Sequence, residues 1–307
     1  MGHHHHRVQL GAERAAPRPD RRTPRRHSGR WCPLRGVFLG CPRLARQRLP
    51  PIESDTDLFR YRRNDERFAR YSTAQVEELI NRFAPDVVWN DIEWPDGGKG
   101  PEDFGVAALL RRYFQAVPDG VVNDRWGVPY HGHLTREYTR VEDIQDEVWE
   151  STRGLGYSFG YNQAEDESAS LSGADLITMF VDVVSKNGNL LINVGPRADG
   201  SIPELQRRSM RELGAWLKTN GHGIYTTRPW IRCSEPTGVP RAYTTSRGRV
   251  HVHVLDPTHG TVELPAELSD PVEARWADGT AADVAGGVAI IPDALRKEPT
   301  ALLSVRP

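Results

Sequence analysis

A chain of 307 residues with a formal net charge of −1 has room for two domains. The charge is unevenly spread: residues 1–50 hold twelve Arg, no Lys and only Glu13 and Asp20, so they carry +10 and leave −11 on residues 51–307. An acidic body of that kind gives no electrostatic case for nucleic acid or for an anionic membrane.

Cys32, Cys41 and Cys233 form no zinc pattern, and the single Cys of the body leaves disulfides out of its stability. No apolar run approaches the roughly 20 residues that span a bilayer, and no apolar stretch marks a signal peptide, so the expected location is cytoplasmic. Met1–His6 have the composition of an expression-tag remnant. Residues 7–50 mix Arg, Pro and small residues with neither a helical nor a strand period. They read either as a basic arm without stable structure or as an out-of-frame translation of GC-rich coding sequence.

From Pro51 onward the pattern is that of alternating elements. Ser72-Thr73-Ala74-Gln75 reads as a capping box, followed by Val76, Leu79, Ile80 and Phe83 at helix spacing. Pro85 closes that helix, and Val87-Val88-Trp89 reads as a short buried strand ending in Asn90 and Asp91. A second helix is expected from about Pro101, and a second strand over Val121–Arg125. Trp126 to about Gln145 reads as a long loop holding Tyr130, His131, His133, Glu137 and Tyr138. A strand around Val148-Trp149-Glu150-Ser151 follows, then a helix opened by Leu171-Ser172 and a strand over Leu190–Val194. Ser201-Ile202-Pro203-Glu204 reads as a capping box for a helix running to about Thr219.

After about Tyr225 the period shortens to two, as in Val250-His251-Val252-His253-Val254, with turns at Asp256-Pro257, Asp278-Gly279 and Gly286-Gly287. The expected fold is α/β: residues 51–225 form a partial (β/α)8 TIM-like barrel and residues 226–307 an antiparallel β-sandwich. About four βα units are legible, whereas a closed barrel needs eight. The unpaired edges of such a half predict self-association.

Several chemistries are tested by these residues. His131-Gly132-His133 is too short a pattern to define a metal centre, so no metal is assigned. His251 and His253 alternate with valines and are expected to face solvent or a partner surface. No Gly-x-Ser-x-Gly elbow is present. Gly195–Gly200 does not make a phosphate cradle, and no cofactor is expected. Glycoside hydrolysis needs two carboxyl groups from different strand ends, with aromatics and donors around the sugar. Asp91, Trp89, Arg125 and Glu137 supply such a set, with Glu93, Asp124 and Glu142 competing for the acid role.

Four motifs resemble the α-L-fucosidases of glycoside hydrolase family 29: Val88–Pro95, Val122–Pro129, Arg153–Asn162 and Val183–Pro196. The resemblance covers roughly residues 51–230. It implies that Asp91 is the nucleophile of a retaining hydrolysis through a covalent fucosyl-enzyme, that Glu137 is the acid/base, and that Trp89 and Arg125 bind the sugar. Fucosylated glycans or glycosides are the implied substrates. Glu137 must then start protonated, which calls for apolar neighbours and the nearby Asp91 charge, and the two carboxyl groups should lie about 5–5.5 Å apart. The family's N-terminal half-barrel, with its glutamate–tryptophan pair and paired histidines, has no counterpart here. The expectation is therefore a truncated or frame-shifted chain with an incomplete sugar pocket.

Overall fold

The computed structural model describes residues 35–39, 54–235 and 237–307. Six parallel strands make two three-stranded sheets. In the first, β1 (Arg35–Leu39), β2 (Val87–Asp91) and β3 (Val121–Val122) lie in that order, with β2 central. The register of β1 on β2 runs from Arg35 opposite Val87 to Leu39 opposite Asp91. These five residues belong to the segment expected to lack any strand; the remainder of residues 1–50 lies outside the described residues.

The second sheet orders β4 (Leu134–Glu137), β5 (Trp149–Gly154) and β6 (Gly188–Asn193), again all parallel. Strand β4 corrects the expectation of an unbroken loop from Trp126 to Gln145. It carries one aliphatic residue and three polar ones, so it has no apolar run to announce it, and it takes its bonds from Trp149–Thr152 of β5. The seam between the sheets is closed by Gly132 donating to the Val122 carbonyl (2.8 Å) and the Thr135 amide to Asp124 (3.0 Å).

Helices α1 (Asp55–Tyr61), α2 (Glu66–Phe83), α3 (Val106–Ala116), α4 (Gly173–Ser185) and α5 (Glu204–Asn220) connect the strands. Helix α2 begins at the Asp65 cap, whose side chain accepts from the Phe68 amide at 2.9 Å. Ser72 and Thr73, expected as a cap, instead lie inside it and are buried; Thr73 donates to the Phe104 carbonyl at 2.6 Å. The helix stops at Ala84, which turns left-handed (φ 43°) just before Pro85. Ser172 does cap α4, accepting from the Asp175 amide at 3.1 Å. Ser201 caps nothing; its hydroxyl bonds Asp199 and α5 starts behind Pro203 without a side-chain cap. The segment Glu167–Ser185 is long and apolar enough to cross a membrane by composition. Its Leu176, Ile177 and Val181 are packed against Leu213 and Trp216 of α5, as in a core helix.

The C-terminal strands are β7 (Arg228–Ser234), β8 (Arg241–Ser246), β9 (Arg249–Val254), β10 (Thr261–Glu263), β11 (Glu273–Trp276), β12 (Val284–Ala285), β13 (Val288–Ile290) and β14 (Ala301–Arg306). A five-stranded antiparallel sheet ordered β11-β14-β9-β8-β7 faces a three-stranded one ordered β10-β13-β12. Val250, Val252, Val254, Leu303 and Val305 fill the space between them with Val262, Leu264, Trp276 and Ile291. The other face of the large sheet is not open. It carries α4 and α5, with Trp216 donating its indole N–H to Thr300 at 3.0 Å and Ala242 inside the helical core.

This covering corrects the placement of the two strand histidines. His251 is 2% and His253 0% exposed. His251 lies 2.9 Å from the Ser304 hydroxyl and 2.8 Å from that of Ser246. His253 lies 3.1 Å from the Gly223 carbonyl at the end of α5.

Candidate active site

Parallel strands present their last residues at one end of a sheet, where connecting loops leave room for a ligand. Asp91 is the last residue of β2 and Glu137 the last of β4. Between them stands Arg125, three residues past β3. Its guanidinium donates from Nη1 to Asp91 Oδ1 at 3.1 Å and from Nη2 to Glu137 Oε2 at 2.9 Å. The Nε–H donates to Thr135 Oγ1 at 2.8 Å, so each of the three guanidinium nitrogens has a partner. Burial works against the Arg125 charge, yet the bonds and attraction from Glu137 and Asp91 outweigh it and hold the group above its usual value.

Trp89 lies two residues before Asp91 on β2, hence on the same face. The Arg125 guanidinium stands over its ring at 5.0 Å, a cation–π contact. The four residues singled out from the sequence are thus brought together. Asp91 Oδ1 also accepts from the Ile92 amide at 3.0 Å. With two donors on Oδ1, Oδ2 carries no hydrogen bond among the described residues. The carboxylate is thus anchored through one oxygen.

The competing acids are placed elsewhere. Glu93 bonds Lys99 (2.7 Å) and Arg62 (3.3 Å), and the Lys99 bond in particular lowers its carboxyl below the ordinary value. Asp124 accepts from the amide and hydroxyl of Thr135 at 3.0 and 2.7 Å. Glu142 is exposed. Glu137 itself lacks the apolar setting expected for it: its side chain is 40% exposed and paired with Arg125. His131 lies 3.6 Å from Glu147, and among the described residues no group of three or more His, Cys, Asp or Glu converges as for a metal.

Glu150, on β5, was not read from the sequence as a site residue. It is 4% exposed, and its Oε1 accepts the Trp89 indole N–H at 2.9 Å and lies 3.9 Å from His133 Nε2. The bond crosses from one sheet to the other and fixes the Trp89 ring edge. A carboxylate inside an otherwise buried strand run was the available signal. Asn90 and Asn123 also knit β2 to β3: the Asn90 amide donates to Asn123 Oδ1 at 2.9 Å, and Asn123 returns a bond to the Asn90 carbonyl at 2.8 Å. Tyr138, next to Glu137, packs edge-on to Phe159 (5.5 Å) beneath the Arg153 guanidinium (5.0 Å).

A carboxyl pair at the ends of parallel strands, joined through one arginine beside an indole, has the residue types that the barrel glycoside hydrolases use. A family model described as Alpha-L-fucosidase matches residues 47–222. The tissue alpha-L-fucosidase of Bos taurus is 33% identical over 205 residues, 64% of this chain and 43% of the relative. An alpha-L-fucosidase of Branchiostoma floridae is 31% identical over 205 residues, 64% and 46% of the two chains. The solved structure of Thermotoga maritima alpha-fucosidase in complex with a mechanism-based inhibitor superposes with a TM-score of 0.74 at 37% identity, covering 84% of this chain and 61% of that one. This chain belongs to the α-L-fucosidase family. It spans less than half the length of these two curated relatives.

Proposed function

We propose that this chain carries the catalytic carboxyl pair of a retaining α-L-fucosidase, acting on terminal α-L-fucosyl groups of glycans or glycosides. The observation that supports it is the single guanidinium of Arg125 reaching both Asp91 and Glu137. A shared guanidinium keeps the two carboxyl groups in one site, as glycoside hydrolysis by a carboxyl pair requires.

In the first step Asp91 Oδ2 attacks the anomeric carbon, the glycosidic C–O bond breaks, and the Glu137 carboxyl gives its proton to the departing oxygen. A fucosyl ester on Asp91 results. In the second step Glu137, now a carboxylate, takes a proton from water, whose oxygen displaces Asp91 and restores the original configuration. Arg125 neutralises the Asp91 carboxylate between turnovers. It must slacken its hold on Glu137 for that group to carry a proton, and a sugar seated between the carboxyls competes for the same fork. Trp89, held by Glu150 and Arg125, offers an apolar wall to the sugar ring.

Hydrolysis of 4-nitrophenyl α-L-fucoside tests the reading, with Asp91→Ala as control. Turnover abolished in the variant supports it; turnover absent in the parent chain, or equal in both, refutes it. A second reading is a non-catalytic fragment whose β module binds carbohydrate or another chain; fucose binding by calorimetry without turnover would favour it.

A further inference from the structure

The two residues after Asp91, Ile92 (φ 63°) and Glu93 (φ 58°), both lie in the left-handed region. Neither is glycine, and a β-branched residue there is a steric outlier that surrounding structure has to enforce. Arg62, at the C-terminal end of α1, does the enforcing. Its side chain is 8% exposed. Nη1 donates to the Ile92 carbonyl, while Nη2 reaches Glu93 Oε2 at 3.3 Å and lies 3.8 Å from Asp96. Lys99 Nζ grips the same carboxylates, at 2.7 Å from Glu93 and 2.8 Å from Asp96. The Trp94 amide donates to the Trp126 carbonyl at 3.0 Å and ties down the far end of the turn.

The turn bears on the carboxylate through the Asp91–Ile92 peptide, whose N–H bonds Asp91 Oδ1 at 3.0 Å beside Arg125 at 3.1 Å. If Ile92 relaxed to negative φ by a flip of that peptide, Asp91 ψ would change with it and the N–H would be withdrawn. The carboxylate would then be held by one donor and could swivel, presenting either oxygen.

We propose that Arg62 is a positioning residue for Asp91: by gripping the Ile92 carbonyl and the Glu93 carboxylate it holds the strained turn, and so keeps Oδ1 anchored and Oδ2 directed at the substrate. The inference rests on the reading of Asp91 as nucleophile. Arg62 lies 29 positions before Asp91 and makes no described contact with it, so its effect is transmitted through the turn alone.

Two measurements test this. In kinetics, Arg62→Ala lowers kcat about 10–100-fold with KM changed far less, since misplacement of a reacting group by about 1 Å costs that order. Arg62→Lys recovers part of the loss, and added guanidinium ion raises the rate of the alanine variant. In stability, a thermal-melting cycle combines Arg62→Ala with Ile92→Gly. Glycine takes a left-handed φ freely, so Ile92→Gly raises Tm in the parent chain. It does so less in the Arg62→Ala background, where the turn has already relaxed. Unchanged kcat in Arg62→Ala, or additive Tm shifts, would overturn the proposal. If the parent chain shows no turnover, the fucosidase reading fails, and the melting cycle still decides whether Arg62 holds the turn. Should Arg62→Ala not fold, Arg62→Lys takes its place in both arms.

Discussion

The sharpest stability prediction concerns acid pH and the histidines buried where the β-sandwich meets the barrel helices. Burial, reinforced by the neighbouring His222 and Arg249 charges, lowers His251 from 6.5 to about 4. Complete burial, with His251 second, lowers His253 from 6.5 to about 3. Both folded values lie below the unfolded one, so the sign is fixed. Well above pH 6.5, from about pH 7.5, neither histidine is charged in either state and the pair contributes no pH dependence. Below it the unfolded chain binds protons that the folded one refuses, and stability falls until the folded values are reached. Each histidine loses about 1.4 kcal/mol per pH unit, so at about pH 5 each has cost about 2 kcal/mol and the pair about 4. Against a total stability of about 5–15 kcal/mol that is a large share. The assay is urea unfolding at about pH 7.5 and about pH 5, in the parent chain, His251→Gln, His253→Gln and the double variant. Each single variant should lose about 2 kcal/mol less on acidification, and the double variant about 4 less. Equal losses in all four proteins would refute the reasoning.

Two further perturbations follow from single bonds. Glu150→Ala strands the buried Trp89 indole and should cost about 1–3 kcal/mol, whereas Glu150→Gln keeps an acceptor and costs less; the Trp89 indole proton resonance should move upfield in the alanine variant and stay near its place in the glutamine one. Trp216→Phe removes the bond to Thr300 and should lower stability by about 1 kcal/mol or more while leaving any fucosidase turnover unchanged, read by melting and the 4-nitrophenyl assay together.

The elements that could be read from the chain were those whose own residues announce them. The Val87-Val88-Trp89 run, the period-two strands after Tyr225 and the Ser172 cap carry local signals strong enough to survive in the fold. Strand β4 was not legible: Leu134-Thr135-Arg136-Glu137 has no apolar run, and only pairing with β5 makes it a strand. The two faces of β9 could not be distinguished either. Alternation separates the valines from the histidines, but whether the histidine face meets water depends on where α4 and α5 pack. The start of α2 was misplaced because Ser72-Thr73-Ala74-Gln75 mimics a cap, while Asp65, the actual cap, precedes a run with no apolar pattern. Of the site, the residue types at the strand ends were legible and their cross-connections were not. That Arg125 reaches both carboxyls, and that Glu150 crosses between sheets to hold Trp89, are facts of three-dimensional closure.

Covalent trapping tests the central claim most directly. The chain is incubated with 2-deoxy-2-fluoro-fucosyl fluoride, whose fluorine slows release of the glycosyl-enzyme, then digested and examined by mass spectrometry. One fluorofucosyl group per chain, borne on the peptide containing Asp91 and absent in Asp91→Ala, is the predicted result. An unlabelled parent chain, or a label on any other residue, would contradict it.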